Sequence, residues 1–205
     1  MLTVALPKGR LGDKVYKRLM AAGYICDDMT AESRKLVFEN TTAGVRYLLV
    51  KPTDVSVYVE RGAADVGIAG KDILCENESR VYELLDLGFG KCRMAVAAKR
   101  GFVDNPNRTL RVATKFVNIA NKHYAEKGRN IDIIPLHGSI ELAPIVGLSD
   151  VIVDIVESGS TLKENDLVII EEFLPISARF IANISSYKFK QDEINNMLNA
   201  LKEAE

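Results

Sequence analysis

Apolar residues recur along the chain with two alternating periodicities, and this alternation restricts the fold more than any other feature of the sequence. Residues 2–6 form a short apolar run, after which Leu11, Val15 and Leu19 recur at the spacing of one helix face. Residues 151–156 are almost entirely valine and isoleucine, which is typical of a strand buried on both faces of a parallel sheet. Strands that alternate with helices in this way predict an α/β protein with mainly parallel sheets.

The remaining elements follow the same alternation. Further strands are predicted at residues 44–50, 65–70, 93–98, 110–113, 131–136, 167–170 and 178–182. Further helices are predicted at residues 53–62, 118–127, 140–146 and 194–201. A weak internal repeat runs through this series, because three residues match three others at one constant offset: Gly62, Asp65 and Val66 with Gly147, Asp150 and Val151. The repeat suggests two similar α/β lobes, with crossings near residues 88–90 and near Pro175.

Charge and composition exclude several classes of protein. The chain of 205 residues has a net charge of −1, so no strongly basic surface argues for a nucleic-acid partner. No apolar run approaches the ~18 residues that a membrane helix needs, and the N-terminus lacks the segments of a secretory signal. The three cysteines form no CxxC pair and the two histidines share no metal-ligand spacing. We therefore expect a cytoplasmic protein with reduced thiols and no structural metal site.

The strongest chemical signal follows the strand at residues 151–156. Gly159 allows the backbone to approach a phosphate closely, and Ser158, Ser160 and Thr161 offer hydroxyl and N–H donors to the same anion. An ordinary strand–turn–helix with a capping serine has the same composition. This segment, taken by itself, therefore does not distinguish a phosphate site from such a turn.

Two acidic residues flank this loop, and either can accept hydrogen bonds from sugar hydroxyls: Asp154 or Glu157. The arrangement resembles the loop with which phosphoribosyltransferases hold a 5-phosphate and ribose. In the common purine-salvage type two acidic residues stand side by side, whereas here Ile155 follows Asp154. The departure argues against that type.

The N-terminal turn carries cations. Lys8, Gly9 and Arg10 precede Leu11 at a predicted strand-to-helix junction, where positive charge and a helix N-terminus suit a polyphosphate. Arg34 adds a cation before another apolar segment. A solvated basic turn and a surface arginine are the structural alternatives.

Three further segments are candidates for the same site. Gly70 ends a predicted strand and Asp72 follows it, where a carboxylate could contact a base or a ribose. Ser139 could cap a short helix and direct Glu141 toward the site, and Lys115 follows another strand. The Gly70 segment and the Ser139 segment, each taken singly, are more typical of structure than of function.

Together and in this order, four segments resemble the ATP phosphoribosyltransferase family over essentially the whole chain: LPKGRL, DVGIAGKD, HGSIELAP and DIVESGSTL. The chain is similar to the short-form catalytic subunit, because it ends soon after its last predicted helix, whereas long forms carry a further regulatory domain. The resemblance implies two α/β lobes like those of type II periplasmic binding proteins, with a cleft between them. Lobe I, on the nucleotide and pyrophosphate side, would comprise residues 1–88 and 178–205, and lobe II, with the phosphate loop, residues 89–177.

The implied reaction transfers phosphoribosyl from phosphoribosyl pyrophosphate (PRPP) to N1 of the adenine of ATP. It gives N1-(5-phosphoribosyl)-ATP and pyrophosphate, and it opens histidine biosynthesis. Another phosphoribosyltransferase, and a non-catalytic two-lobed protein that binds a small ligand, are the alternatives.

The resemblance also implies roles for the candidate residues. The catalytic cations would be Lys8, Arg10 and Arg34. The residues assigned to PRPP are Asp154, Glu157, Ser158, Gly159, Ser160 and Thr161. The residues assigned to the nucleotide are Gly9, Leu11, Gly70, Asp72, Lys115 and Glu141. Mg²⁺ would be bound mainly through PRPP and pyrophosphate, and the chain would form a homodimer core within a hetero-oligomer that includes a regulatory subunit resembling histidyl-tRNA synthetase.

Overall fold

The computed structural model describes residues 1–30 and 33–203, and its internal contacts divide the chain into two compact units. Unit 1 combines Met1–Gly90 with Ser177–Glu205, and unit 2 is Lys91–Ile176. Each unit has its own sheet and its own apolar core. Unit 1 is therefore assembled from both ends of the chain, and unit 2 is inserted between them.

Eleven strands and eight helices occur in these described residues. The strands are β1 (Leu2–Pro7), β2 (Val37–Asn40), β3 (Val45–Val50), β4 (Val66–Gly70), β5 (Tyr82–Asp86), β6 (Cys92–Lys99), β7 (Leu110–Thr114), β8 (Ile131–Pro135), β9 (Val151–Val156), β10 (Leu167–Ile176) and β11 (Ala178–Ala182). The helices are α1 (Arg10–Ala21), α2 (Val55–Glu60), α3 (Lys71–Glu76), α4 (Val117–Glu126), α5 (Leu142–Ile145), α6 (Ser160–Glu164), α7 (Ile184–Phe189) and α8 (Gln191–Glu203). One 3-10 turn, Pro52–Asp54, precedes α2.

Both sheets are mixed. In unit 1 the strand order is β2-β3-β1-β4-β11-β5, and in unit 2 it is β10-β6-β9-β7-β8. The α/β class is confirmed, but parallel pairing is limited to β1 with β3 and β4, and to β7 with β8 and β9. The other five pairings among the described strands are antiparallel. The sequence predicted mainly parallel sheets because apolar periodicity identifies a strand without giving its direction.

The parallel strands bring their carboxyl ends to one edge of each sheet. Pro7 at the end of β1 pairs with Val50 at the end of β3, and β4 runs alongside β1 in the same direction. In unit 2, Thr114 at the end of β7 pairs with Val153 of β9, and its hydroxyl donates to the Val153 carbonyl at 2.6 Å. In open α/β sheets, ligands bind beyond such carboxyl edges.

Helix α1 packs closely against the strand that it follows. Its residues Val15, Tyr16 and Leu19 are buried at helical spacing in the unit 1 core. Gly12 faces the end of β1, where an added Cβ would lie 1.7 Å from the Pro7 carbonyl oxygen. Only glycine permits this approach, which places the N-terminus of α1 directly beside the carboxyl edge of the sheet.

The predicted closing amphipathic helix is confirmed as α8. Its four apolar residues are buried in the core that also contains β1 and α1: Ile194, Met197, Leu198 and Leu201. The C-terminal segment therefore closes the core that the N-terminal segment begins.

The internal repeat of the sequence corresponds to the same hydrogen-bond arrangement in both units. Asp65 donates its N–H to the Thr3 carbonyl at 2.8 Å, and its carboxylate accepts the Thr3 N–H at 2.9 Å. Asp150 exchanges the equivalent pair of bonds with Arg111, each of 2.9 Å. Asp65 thus fixes the start of β4 against β1, and Asp150 fixes the start of β9 against β7. The register of these parallel pairs at their carboxyl ends follows from the register at their starts.

Acid should weaken the Asp150 arrangement in a defined range. Hydrogen bonds from the Arg111 guanidinium lower the Asp150 pKa from 3.8 to about 2. A carboxyl group whose pKa is lower in the folded state stabilises that state fully above its unfolded pKa, and this stabilisation is lost as the pH falls toward the folded value. We expect wild type to lose about 1 kcal/mol more unfolding free energy than Asp150→Asn between pH 5 and pH 3. Urea titration of both proteins at the two pH values measures the unfolding free energies. Equal losses in wild type and variant would contradict the stabilising interaction of Asp150 with Arg111.

Candidate functional site

A pocket of about 280 Å³ lies in unit 2, beside the end of β9. Its floor is apolar and includes Ala95 and Ala97 of β6, whose small side chains leave the space open. Its lining also includes five polar residues and one glycine that the sequence assigned to substrate: Glu141, Asp154, Glu157, Ser158, Thr161 and Gly159. The pocket therefore combines apolar lining residues with hydrogen-bonding groups.

The loop from β9 to α6 depends on a left-handed glycine. Gly159 has φ +79° and ψ +6°, a conformation that other residues adopt at a cost. An added Cβ would meet no atom closer than Val156 Cγ1 at 3.7 Å, so the restriction comes from the backbone angles and not from crowding. Ser160 begins α6, and its N–H and hydroxyl both contact the Ser158 hydroxyl, at 3.3 and 3.0 Å.

Asp154 is a partly buried acid of this pocket. Its Oδ1 accepts the Ile155 N–H at 2.8 Å, and the Lys115 ammonium lies 3.8 Å from the same oxygen. Burial raises the Asp154 pKa and the nearby Glu141 carboxylate raises it further, whereas the Ile155 N–H and Lys115 oppose them. A half-buried carboxylate held between a cation and a second acid is suited to accept hydrogen bonds from sugar hydroxyls.

Glu141 reaches the pocket by a different local structure from the predicted one. The sequence placed Ser139 as the cap of a helix at residues 140–146, but α5 begins at Leu142 and Glu141 is its N-cap residue. Ser139 instead has φ +48° and accepts the Leu142 N–H at its carbonyl, at 3.1 Å. The tight turn directs Glu141 to the pocket wall.

A second group of candidate residues surrounds the carboxyl edge of the unit 1 sheet. Lys8 and Arg10 are exposed, and no carboxylate among the described residues pairs with either side chain. Gly9, with φ +95°, is the N-cap of α1 and offers no side-chain cap, so the first N–H groups of α1 are available to an anion. Lys51 follows β3 at the same edge, and the Lys8 N–H donates to the Val50 carbonyl just before it, at 2.8 Å.

Lys51 was not among the residues predicted from the sequence. It lies near Lys8 because Pro7 pairs with Val50, and these two residues are more than forty positions apart in the chain. A lysine directly after a predicted strand was the only local signal. Leu11, which the sequence assigned to the nucleotide, is partly buried and packs on the unit 1 core. Arg34 is exposed and precedes β2.

Gly70 and Asp72 contact each other at the end of β4. Asp72 is buried in the first turn of α3, and an added Cβ at Gly70 would lie 2.2 Å from its Oδ1. A side chain at residue 70 would therefore displace the end of the Asp72 side chain, whether or not a ligand is present. Both residues lie at the carboxyl edge of the unit 1 sheet, where Lys8 and Lys51 also lie.

The described residues contain neither a cluster of metal ligands nor a membrane-spanning helix. In the part of the chain that the structure describes, no three His, Cys, Asp or Glu side chains are grouped to hold a metal ion. No helix within that part is both long and apolar enough to span a membrane. Cys26, Cys75 and Cys92 form no disulfide with one another.

Known proteins resemble this chain in sequence and in fold. The family model described as HisG: ATP phosphoribosyltransferase matches residues 51–203. An ATP phosphoribosyltransferase of Brachyspira hyodysenteriae is 55% identical over 204 residues, covering 99% of each chain. A solved structure of the ATP phosphoribosyl transferase (HisG:HisZ) complex from Thermotoga maritima superposes with a TM-score of 0.88 at 38% identity, covering 100% of this chain and 98% of that one. The arginine-bound Gly52Ala mutant of ArgBP from Thermotoga maritima shares the fold alone, with a TM-score of 0.59 at 14% identity over 100% of this chain and 95% of that one.

Proposed function

The chain belongs to the ATP phosphoribosyltransferase family, and from that premise we propose how its residues carry out the reaction. The reaction transfers phosphoribosyl from PRPP to N1 of the adenine of ATP and releases pyrophosphate, as the first step of histidine biosynthesis. The attacking atom is a neutral ring nitrogen that carries no proton to remove. The demanding change is one of charge, because a cationic sugar develops while a highly anionic group departs.

The unit 2 pocket holds the 5-phosphate and ribose of PRPP. The observation that carries this proposal is the left-handed Gly159 loop, which lies against a pocket of about 280 Å³ with Ser158, Thr161 and Asp154 in its walls. Backbone N–H groups and hydroxyls in such a loop form a concave anion site. Asp154 or Glu157 accepts hydrogen bonds from the ribose hydroxyls.

The unit 1 edge supplies the positive charge. Lys8, Arg10 and Arg34 are exposed and interact with pyrophosphate and with the phosphates of ATP, assisted by the uncapped N-terminus of α1. Lys51 joins them because it follows the strand next to β1. Gly70 and Asp72 support the nucleotide from β4.

Mg²⁺ accompanies the phosphates. A hard cation of this kind binds phosphate oxygens and retains water, and bound to pyrophosphate it neutralises charge on the leaving group. We assign Mg²⁺ mainly to oxygens of PRPP and pyrophosphate and not to a dedicated protein cage.

Lys115 and Glu141 flank Asp154 and act on its pKa in opposite directions, since Lys115 lowers it and Glu141 raises it.

The Thermotoga maritima relative is described as a HisG:HisZ complex, which supports assembly of this chain with a regulatory subunit as well. We propose a homodimer core within such a hetero-oligomer. A cytoplasmic location is supported by the intracellular origin of ATP and PRPP.

The function is tested by incubating the protein with PRPP, Mg²⁺ and ATP and following the absorbance of the ribosylated adenine. A parallel reaction with free adenine in place of ATP is the control. Product from ATP alone supports the proposal. Product from adenine would indicate a salvage-type phosphoribosyltransferase, and binding without any product would indicate a small-ligand-binding protein.

A further inference from the structure

Arg93 contacts the backbone at the point where β9 ends and the Gly159 loop begins. Its guanidinium Nη1 donates to the Glu157 carbonyl at 3.0 Å and lies 3.4 Å from the Val156 carbonyl. The ladder between β6 and β9 ends there, because Arg93 is paired with Val156, the last residue of β9. The Arg93 side chain therefore holds the backbone of Glu157, which is one residue beyond the last regular pairing of β9.

Fixing this carbonyl also fixes the direction of the next N–H group. A peptide bond is planar and trans here, so its C=O and N–H point to opposite sides. With the Glu157 carbonyl directed to Arg93, the Ser158 N–H must point away from Arg93. Ser158 is the first loop residue that lines the pocket after Glu157 itself. The guanidinium thus sets the orientation of the first amide of the loop.

The position of Arg93 on β6 agrees with this function. Side chains alternate along a strand, so Arg93 lies on the same face as Ala95 and Ala97, which form the pocket floor. Arg93 itself is held by an ion pair with Glu172 of the edge strand β10. Glu172, Arg93 and the Glu157 carbonyl form a continuous connection from the edge of the unit 2 sheet to the loop.

We propose that Arg93 is a positioning residue for PRPP: it preorganises the loop of residues 157–161 so that the loop is ordered for the 5-phosphate before the ligand binds. The inference rests on the proposed function of that loop. Its action is indirect, because the Arg93 Nη1 group donates to the Glu157 carbonyl of the loop and its Nε faces Glu172. A preorganised site binds more tightly because less ordering occurs during binding.

The test compares Arg93→Met, which keeps an unbranched and flexible side chain without its donors, with Arg93→Lys, which keeps the charge without the planar fork. Arg46→Met is the matched control, because Arg46 also lies on a strand and pairs with a glutamate, Glu39, at the amino end of the unit 1 sheet. Calorimetry gives the PRPP and ATP affinities of each variant. Hydrogen exchange of residues 157–161 without ligand reports the order of the loop.

We expect Arg93→Met to weaken PRPP binding by about tenfold and to leave ATP affinity within about twofold, with faster exchange in the free loop. Arg93→Lys should recover part of the affinity, and Arg46→Met should match wild type. Equal losses for both ligands, unchanged loop exchange, or full recovery by lysine would overturn the inference. Gly159→Val in the same series separates the two proposals: if it too leaves PRPP affinity intact, the loop assignment itself fails, whereas a loss confined to Gly159→Val refutes only the function of Arg93.

Discussion

Replacing Gly159 by valine should weaken PRPP binding by about a hundredfold while unit 2 remains folded. The left-handed conformation of Gly159 costs a residue with a side chain about 1–2 kcal/mol, and a β-branched residue is the least tolerant. Because an added Cβ has no close neighbour, the strain is relieved by rearrangement of the loop and not by disruption of the core. A rearranged loop no longer directs its N–H groups to one phosphate, and a hundredfold loss corresponds to about 2.7 kcal/mol.

Gly128→Val is the matched control for this substitution. Gly128 also lies in unit 2, has φ +62° and has open space around its Cα, but it follows α4 and is not part of the pocket lining. Both variants should lose a similar amount of thermal stability, and only Gly159→Val should lose PRPP affinity in calorimetric titration. If the two variants bind PRPP equally well, the loop does not hold the phosphate.

Several elements could be predicted from the sequence because their signals are local. The β-branched run predicted β9 with its observed bounds, and helical spacing predicted α1 and α8. β2 and β5 were missed because each is short and largely exposed on one or both faces, so little periodicity marks them. β10 was predicted at residues 167–170 but continues to Ile176, because two register shifts interrupt its alternation.

The residues of the candidate site also differ in whether a local sequence pattern marks them. Gly159 and its serines were found from composition, since a glycine and hydroxyl groups after a buried strand form a local pattern. Arg93 and Lys51 were missed because the functions proposed for them depend on pairing between distant segments. Arg93 is paired with Val156, and the end of β3 is paired with the end of β1. Local sequence does not encode register between strands, and the pocket floor at Ala95 and Ala97 has no signal until β6 is placed beside β9.

Arg10→Ala should lower turnover by about a hundredfold and leave thermal stability unchanged or slightly higher. Arg10 is the first residue of α1, where a cation interacts unfavourably with the helix dipole by roughly 0.3–1 kcal/mol. It is exposed and makes no ion pair among the described residues, so alanine removes no stabilising contact and is the better helix former. The proposed phosphate ligands would account for a cation at the unfavourable end of this helix, and charge facing a transition state contributes roughly 3 kcal/mol.

Lys17→Ala is the control, because Lys17 is an exposed cation of the same helix one to two turns away from the sheet edge. Arg34→Ala should behave like Arg10→Ala, since Arg34 is likewise exposed and assigned to phosphate charge. The kcat of each variant at saturating ATP and PRPP is the decisive measurement, because an interaction formed mainly in the transition state lowers kcat more than it raises KM. Normal turnover in both arginine variants would show that the departing pyrophosphate is stabilised by other groups, and Lys8 and Lys51 would be the next cations to replace.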